Sequence, residues 1–211
     1  MFHIPAQSHV FFDFDGTLAD TDPDIRATWR EVLSELGAEC PSFDEIYVTG
    51  PSLNDISLKL FPSADAGLLE RIRDSFKRHY DLSPLGASVP YPGAEEWLRA
   101  LRAAGKTLYI LSNKRMAALE RLLGRYGWTP LFRKLYTADM DPENIRGKSV
   151  LFGDALRELG VDPVDAVVIG DTRGDIEAAH ANTVRAIAVS WGYSEPGALS
   201  EADEILNSIS R

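Results

Sequence analysis

Basic residues are under-represented in this chain. Its 22 lysines and arginines stand against 32 aspartates and glutamates, for a formal net charge of -10 and a pI near 4.9. With no basic excess to displace counterions from phosphates, neither nucleic acid nor an anionic membrane surface is an expected partner. An anionic substrate therefore needs positive charge gathered locally. Cysteine is rarer still: Cys40 stands alone, which excludes an internal disulfide. It precedes Pro41 without any charge pattern that would activate a thiol, so a passive role is expected. No apolar run near the amino terminus reaches signal or membrane-spanning length, which makes the cytoplasm the expected address. Internal repeats and low-complexity segments are absent too. The remaining composition, 45% hydrophobic and 26% charged over 211 residues, is ordinary for a globular chain. It suffices for one large domain or one domain with a smaller insertion.

What is there gathers around residues 9–17, HVFFDFDGT. Val10, Phe11 and Phe12 form the short apolar run of a fully buried parallel strand, which stops abruptly at Asp13. Alternation along the strand sends Asp13 and Asp15 to one side and Phe14 to the other, and Gly16 frees the backbone to turn. Two carboxylates at one spot repel unless a cation sits between them or one holds a proton. A lone D-x-D-G reads as an Asp-rich turn. The five residues DFDGT together, however, have a chance on the order of 10⁻⁴ of arising in a chain of this length from average composition.

Downstream, Asp22-Pro23 reads as a helix cap and first helical position, and Ile25, Trp29, Val32, Leu33 and Leu36 repeat at helical spacing up to Gly37. Ser42 and Glu45, then Ser52 and Asp55, have capping-box spacing. Leu69, Ile72, Phe76 and Tyr80 line one face of a longer helix. No strand interrupts residues 22–80, and the Pro/Ser/Gly-rich segment 81–93 reads as a connection. From residue 93 helices alternate with short apolar strands, expected at 107–111 ending on Ser112, 135–137, 164–169 followed by Asp171, and 186–189. That rhythm predicts a parallel sheet covered on both faces, interrupted after its first strand by a helical insertion. Candidate residues thus stand at strand ends, where open parallel sheets bind ligands.

The stretch HVFFDFDGTLADT resembles the first motif of the haloacid dehalogenase-like superfamily, in the phosphatase branch that includes phosphoglycolate phosphatases. The resemblance implies an α/β fold with a Rossmann-like three-layer core, residues 1–20 and 91–211, and an all-helical cap at 21–90. It places the Asp13 strand between those of Ser112 and Asp171. It implies that Asp13 is the nucleophile and Asp15 the general acid and base, with Gly16 and Thr17 in support. GDTRGDIEAA resembles the fourth motif, with Asp171 as metal ligand and Asp175 supporting it. Magnesium takes near-octahedral oxygen ligands and keeps several waters, and Asp13, Asp171 and the carbonyl of Asp15 suit it. Ser112-Asn113-Lys114 resembles the second motif, in which a hydroxyl and a backbone amide hold phosphoryl oxygens; taken alone, those residues are also common helix caps. Lys148 matches the phosphate-binding lysine, although Ser149 follows it where relatives commonly have proline, and Lys134 and Arg146 stand close enough to compete. VSWGYSEPGAL with ADEIL matches the same branch, Trp191 and Tyr193 being expected to pack.

The function implied is magnesium-dependent hydrolysis of a small phosphomonoester, phosphoglycolate-like, through a phosphoaspartate. Asp15 and Asp171 argue against a metal-free dehalogenase. A phosphomutase using the same core, and a non-catalytic module that binds a protein partner through the insertion, remain as rivals. The insertion offers Arg26, Arg30, Lys59, Arg71, Arg73, Lys77 and Arg78 as cations for an anionic substrate, one or two of which are expected at the site.

Overall fold

The computed structural model describes residues 1–38, 40, 42–140, 147–194 and 197–210. Strand β1 (His9–Phe12) leads through the two-residue β2 (Ala19–Asp20) into four helices, α1 (Asp22–Glu35), α2 (Phe43–Ile46), α3 (Leu53–Leu60) and α4 (Ala66–Leu82). The chain returns through β3 (Val89–Pro90) to α5 (Ala94–Ala103), β4 (Thr107–Ser112), α6 (Met116–Tyr126), β5 (Phe132–Thr137), α7 (Lys148–Leu159), β6 (Ala166–Gly170), α8 (Arg173–His180), β7 (Arg185–Val189) and β8 (Glu204–Leu206). The six long-range strands form one parallel sheet in the order β5-β4-β1-β6-β7-β8, while β2 and β3 pair antiparallel. The Asp13 strand therefore lies between those of Ser112 and Asp171. After β5 the chain crosses to the other side of β1, so the crevice at a strand-order reversal lies at the carboxyl end of β1. No helix among the described residues is long and apolar enough to cross a membrane.

Alternation along β1 assigns the two faces of the sheet. Val10 and Phe12 point into one core with Trp97, Leu98 and Leu101 of α5 and Leu119 and Leu122 of α6. Phe11 points into the other with Phe152 of α7 and Ile176 of α8. Phe12 meets the Trp97 ring edge-on at 5.2 Å, and Phe11 stacks on Tyr109 at 4.5 Å. Burying each of these aromatics contributes roughly 1.5–3 kcal/mol. The result is a three-layer α/β sandwich of Rossmann-like type.

Several boundaries differ from expectation for local reasons. Helix α1 is capped at Thr21 rather than Asp22, with Pro23 in its first turn. The Asp22 carboxylate instead accepts from Arg26 and Thr49. Ser42 precedes α2 without a side-chain cap bond, whereas Ser52 accepts from Asp55 N as a cap should. The strand expected from 164 starts at Ala166, because Asp162 caps a 3₁₀ turn and leaves Val164 72% exposed. Strand β5 begins three residues ahead of expectation, and β8 lies within the ADEIL stretch.

The helical insertion shares its apolar interior with one face of the sheet. Trp29, Phe76 and Tyr80 belong to the same cluster as Phe12 and Phe14. Its return crossing is clamped by Asp24 of α1, a buried acid that accepts from Ala87 N (3.3 Å), Ser88 N (2.6 Å) and Ser88 Oγ (2.6 Å). Removing it leaves buried donors without a partner, which costs more than the bonds themselves. Asp24→Ala should lower unfolding free energy by roughly 2–4 kcal/mol, read as a lower urea midpoint at unchanged slope; a parent-like midpoint would show that the clamp contributes nothing.

Candidate active site

In-register pairing of β1 with both neighbours sets Phe12 beside Ile110 and Ile169. Asp13 extends the ladder by one residue, its N–H donating to Ile169 O at 2.9 Å. Ser112 and Asp171 each lie one residue further along their strands, so the three side chains leave adjacent strands within one residue of the same level. Phe14 is fully buried between the two motif acids, and its carbonyl accepts from Leu18 N and Ala19 N to close the turn. Gly16 sits in this turn at φ +79°, where a Cβ would lie 2.3 Å from Asp171 Oδ2. Both its conformation and that close approach require glycine.

Asp13, Asp171 and Asp175 form a buried group whose ligand atoms lie within 4.8 Å of one another. Asp171 accepts from Thr17 Oγ1 at 2.9 Å and from Tyr193 N at 2.8 Å. Asp175 completes a capping box with Thr172 at the start of α8, its Oδ2 accepting from Thr172 N at 2.9 Å and Thr172 Oγ1 at 2.6 Å. Its other oxygen pairs with Lys148, the first residue of α7, whose Nζ also lies 3.1 Å from Asp13 Oδ1. That contact lacks hydrogen-bond alignment, and Asp13 Oδ1 is buried without a hydrogen-bond partner. The Ser112 hydroxyl oxygen accepts from Lys114 N at 3.2 Å.

Asp15 faces elsewhere. Its Oδ1 accepts from Thr21 Oγ1 at 2.6 Å and from Lys114 Nζ at 2.8 Å, and Lys114 also donates to Tyr80 OH on α4. The side chain of Asn113 donates to Gly50 O at 3.1 Å. Lys134 pairs with Glu158 and does not reach the acids; Arg146 lies outside the described residues.

Charge counting separates the two acids of the first motif. Asp15 is balanced by Lys114, whereas Asp13, Asp171 and Asp175 share only Lys148 among the described residues, leaving two formal negative charges when all three are ionised. Burial, aided by Asp175 and Asp15 and opposed by Lys148, pushes the Asp13 carboxyl up to about 6. Burial likewise raises Asp171 well above the usual carboxylate range, with Asp13 and Asp175 adding to it. Burial alone would lower Lys148, yet Asp13 and Asp175 hold its pKa above the ordinary lysine value. A buried oxygen-only cluster with a net deficit of two charges and an orphaned Asp13 Oδ1 suits a hard divalent cation. Asp175 joins this cluster directly, while the carboxylate of Asp15, placed in the expected metal set through its carbonyl, is held apart by Thr21 and Lys114.

A cavity of about 70 Å³ opens beside Asp13, Asp15 and Ser112. At 10–15 Å³ per water, that is room for roughly five to seven. The helical insertion forms its far side. None of the insertion's seven candidate cations lines it: Arg26 and Arg30 pair with Asp44, Lys77 with Asp74, Arg78 with Glu35, and Arg73 donates to Asn54, while Arg71 is exposed. Lys59 borders a separate small cavity against α3. The site's own cations, Lys114 and Arg115, come instead from the loop after β4. Tyr193 also exceeds packing: its hydroxyl donates to Asp20 and accepts from Thr21 N and Asp22 N, tying the entry of α1 to the Asp171 side.

Known proteins share this fold. The haloacid dehalogenase-like hydrolase family model matches residues 10–189. A phosphoglycolate phosphatase of Xylella fastidiosa is 32% identical over 185 residues, 87% of this chain and 80% of that protein. A haloacid dehalogenase-like hydrolase from Bacteroides fragilis has a TM-score of 0.87 at 23% identity, covering 96% of this chain and 98% of its own. CbbY from Rhodobacter sphaeroides, solved in complex with phosphate, has a TM-score of 0.79 at 22% identity, covering 97% and 95%. The two structures show the common fold. The family match runs from the strand that delivers Asp13 to the strand beyond Asp171, and the chain belongs to the haloacid dehalogenase-like hydrolase family, as a phosphatase of that family.

Proposed function

We propose that this phosphatase hydrolyses a small phosphomonoester in two steps, with Asp13 as nucleophile and Asp15 as acid and then base. The observation that carries this reading is the division of labour at one strand end. Asp13 faces the acidic cluster and Lys148, while Asp15, two residues on, is held by Thr21 and Lys114 at the cavity wall. An oxygen of Asp13 bonds to phosphorus as the bond to the leaving oxygen breaks, and Asp15 gives that oxygen its proton. Asp15 then takes a proton from a water whose oxygen bonds to phosphorus, and the phosphoaspartate bond breaks to restore Asp13. Ser112 and the main-chain amide of Asn113 are proposed to hold phosphoryl oxygens, with Lys148 offsetting their charge. Magnesium is the proposed ion on Asp13, Asp171 and Asp175, where it would neutralise the transferring group. The small cavity and the phosphoglycolate phosphatases among the relatives support a small substrate, for which phosphoglycolate sets the scale. Residues 21–90 are proposed as a cap, held over the site by Asn113 on Gly50 and Lys114 on Tyr80.

Asp13→Asn should lower kcat for p-nitrophenyl phosphate at least about 10³-fold with the folded circular-dichroism spectrum retained, since the isostere keeps packing but cannot attack. Retained turnover would remove Asp13 from the chemistry. Asp15→Asn should reduce hydrolysis of an alkyl phosphate far more than that of p-nitrophenyl phosphate, whose leaving group needs no proton; equal losses would contradict the acid assignment. Free phosphate release in both assays separates hydrolysis from transfer to a second hydroxyl.

The metal cluster generates a pH prediction. In chelator, the raised Asp13 pKa means that its folded form gains from protonation. This contribution is full below the ordinary value of 3.8 and lost as pH rises through about 6. The parent should therefore lose melting temperature between about pH 4 and about pH 7 more steeply than Asp13→Asn. At pH 7, magnesium at 100 times its Kd should restore about 2.7 kcal/mol, or about 5–10 °C. Asp171→Asn should lose most of that gain, and a parent-like response would place the ion elsewhere.

A further inference from the structure

We propose, on the phosphatase reading above, that the cavity beside Asp13 selects phosphomonoesters whose leaving group is small and uncharged over those whose leaving group carries a carboxylate. The wall contributed by the helical insertion is apolar: Ile25 and Trp29 of α1, Leu53 and Ile56 of α3, and Phe76 of α4. All but Leu53 are buried. A carboxylate set against this wall would lose its hydration without a replacement partner.

The cations at the cavity are already engaged. Arg115 forms a two-pronged pair with Asp81, Nε to Oδ1 at 2.8 Å and Nη2 to Oδ2 at 2.6 Å, and its Nη1 lies 3.4 Å from Asp139 Oδ2. Lys114 is buried against Asp15 and Tyr80. Lys148 sits between Asp13 and Asp175, where the phosphoryl group requires it. Neutral donors are used as well: the Thr49 hydroxyl donates to Asp22 and the Asn113 amide to Gly50 O. A leaving-group carboxylate must therefore displace Asp81 from Arg115 or stand unpaired in a cavity already bordered by Asp13 and Asp15. One donor on a lining residue lacks a partner: Trp29 Nε1 is buried with no hydrogen bond. A single neutral donor of this kind can bond a carbonyl or hydroxyl oxygen, but it does not offset the charge of a carboxylate.

The test compares phosphoglycolate with 2-oxopropyl phosphate, in which a methyl group replaces one carboxylate oxygen, with p-nitrophenyl phosphate as reference. Phosphate release is measured with the unmodified protein and magnesium. The expected kcat/KM for 2-oxopropyl phosphate exceeds that for phosphoglycolate at least about tenfold. Leu53→Arg, at the partly buried start of α3, adds a cation to the wall. It should move the ratio toward phosphoglycolate at least about tenfold. Phosphoglycolate turned over as well as the ketone by the unmodified protein overturns the selectivity and leaves the phosphatase standing. A ratio indifferent to Leu53→Arg overturns it too, by placing the leaving group away from this wall. No phosphate from any of the three esters removes the phosphatase reading itself, a distinct result.

Discussion

Repulsion among carboxylates at the carboxyl end of the sheet is the constraint around which this molecule is built. Two charges 4.8 Å apart oppose each other by about 3–4 kcal/mol at an effective dielectric constant near 20, and burial raises the cost of keeping them ionised. Asp13 and Asp175 pair with Lys148 and Asp15 with Lys114, while Asp171 is held by neutral donors. Glycines provide the space: a Cβ at residue 16 or 192 would strike Asp171, and one at residue 170 would lie 2.3 Å from Asp175 Cγ. Thr17 and Tyr193 N hold Asp171 from two sides, and Thr172 holds Asp175, so each carboxylate is oriented before any ion arrives. Pre-set donors and charges of this kind need no rearrangement during reaction.

The same constraint reaches into the helical insertion. Lys114, which balances Asp15, is also bonded to Tyr80 of α4, so the acid's partner is shared between core and insertion. Asn113 reaches Gly50, and Arg121 and Arg125 of α6 donate to main-chain oxygens of Ser83, Pro84 and Leu85. Together with the Asp24 clamp and the continuous apolar interior, these contacts set the insertion against the sheet at the edge of the cavity. Polar ties thus surround the apolar wall of Ile25, Trp29, Ile56 and Phe76.

The periodic elements were legible because their causes are local. A buried apolar run ending on Asp13, helical spacing through Trp29 and Phe76, and glycines closing α1, α5 and α7 each act within a few residues. The motif acids were legible for a related reason, since Asp13 and Asp15 leave one strand end together whatever the rest of the chain does. The two-residue strands β2 and β3, by contrast, carry no periodic signal of their own. Their pairing depends on an insertion of nearly seventy residues folding back.

By itself, the sequence determined the α/β rhythm, the helical interruption after β1, and the residues at each strand end. Tertiary structure decided which charges meet. Lys114 finds Asp15 across 99 residues, Asp24 finds Ser88 across 64, and Arg26, Arg30 and Arg78 turn to acids on neighbouring helices of the insertion rather than to the cavity. Lys114 and Asp24 look like ordinary surface residues in one dimension, because the cost of burying a charge appears only once the fold has fixed its surroundings. Spacing along a chain records which face a side chain occupies; its partner is set by packing between segments remote in sequence.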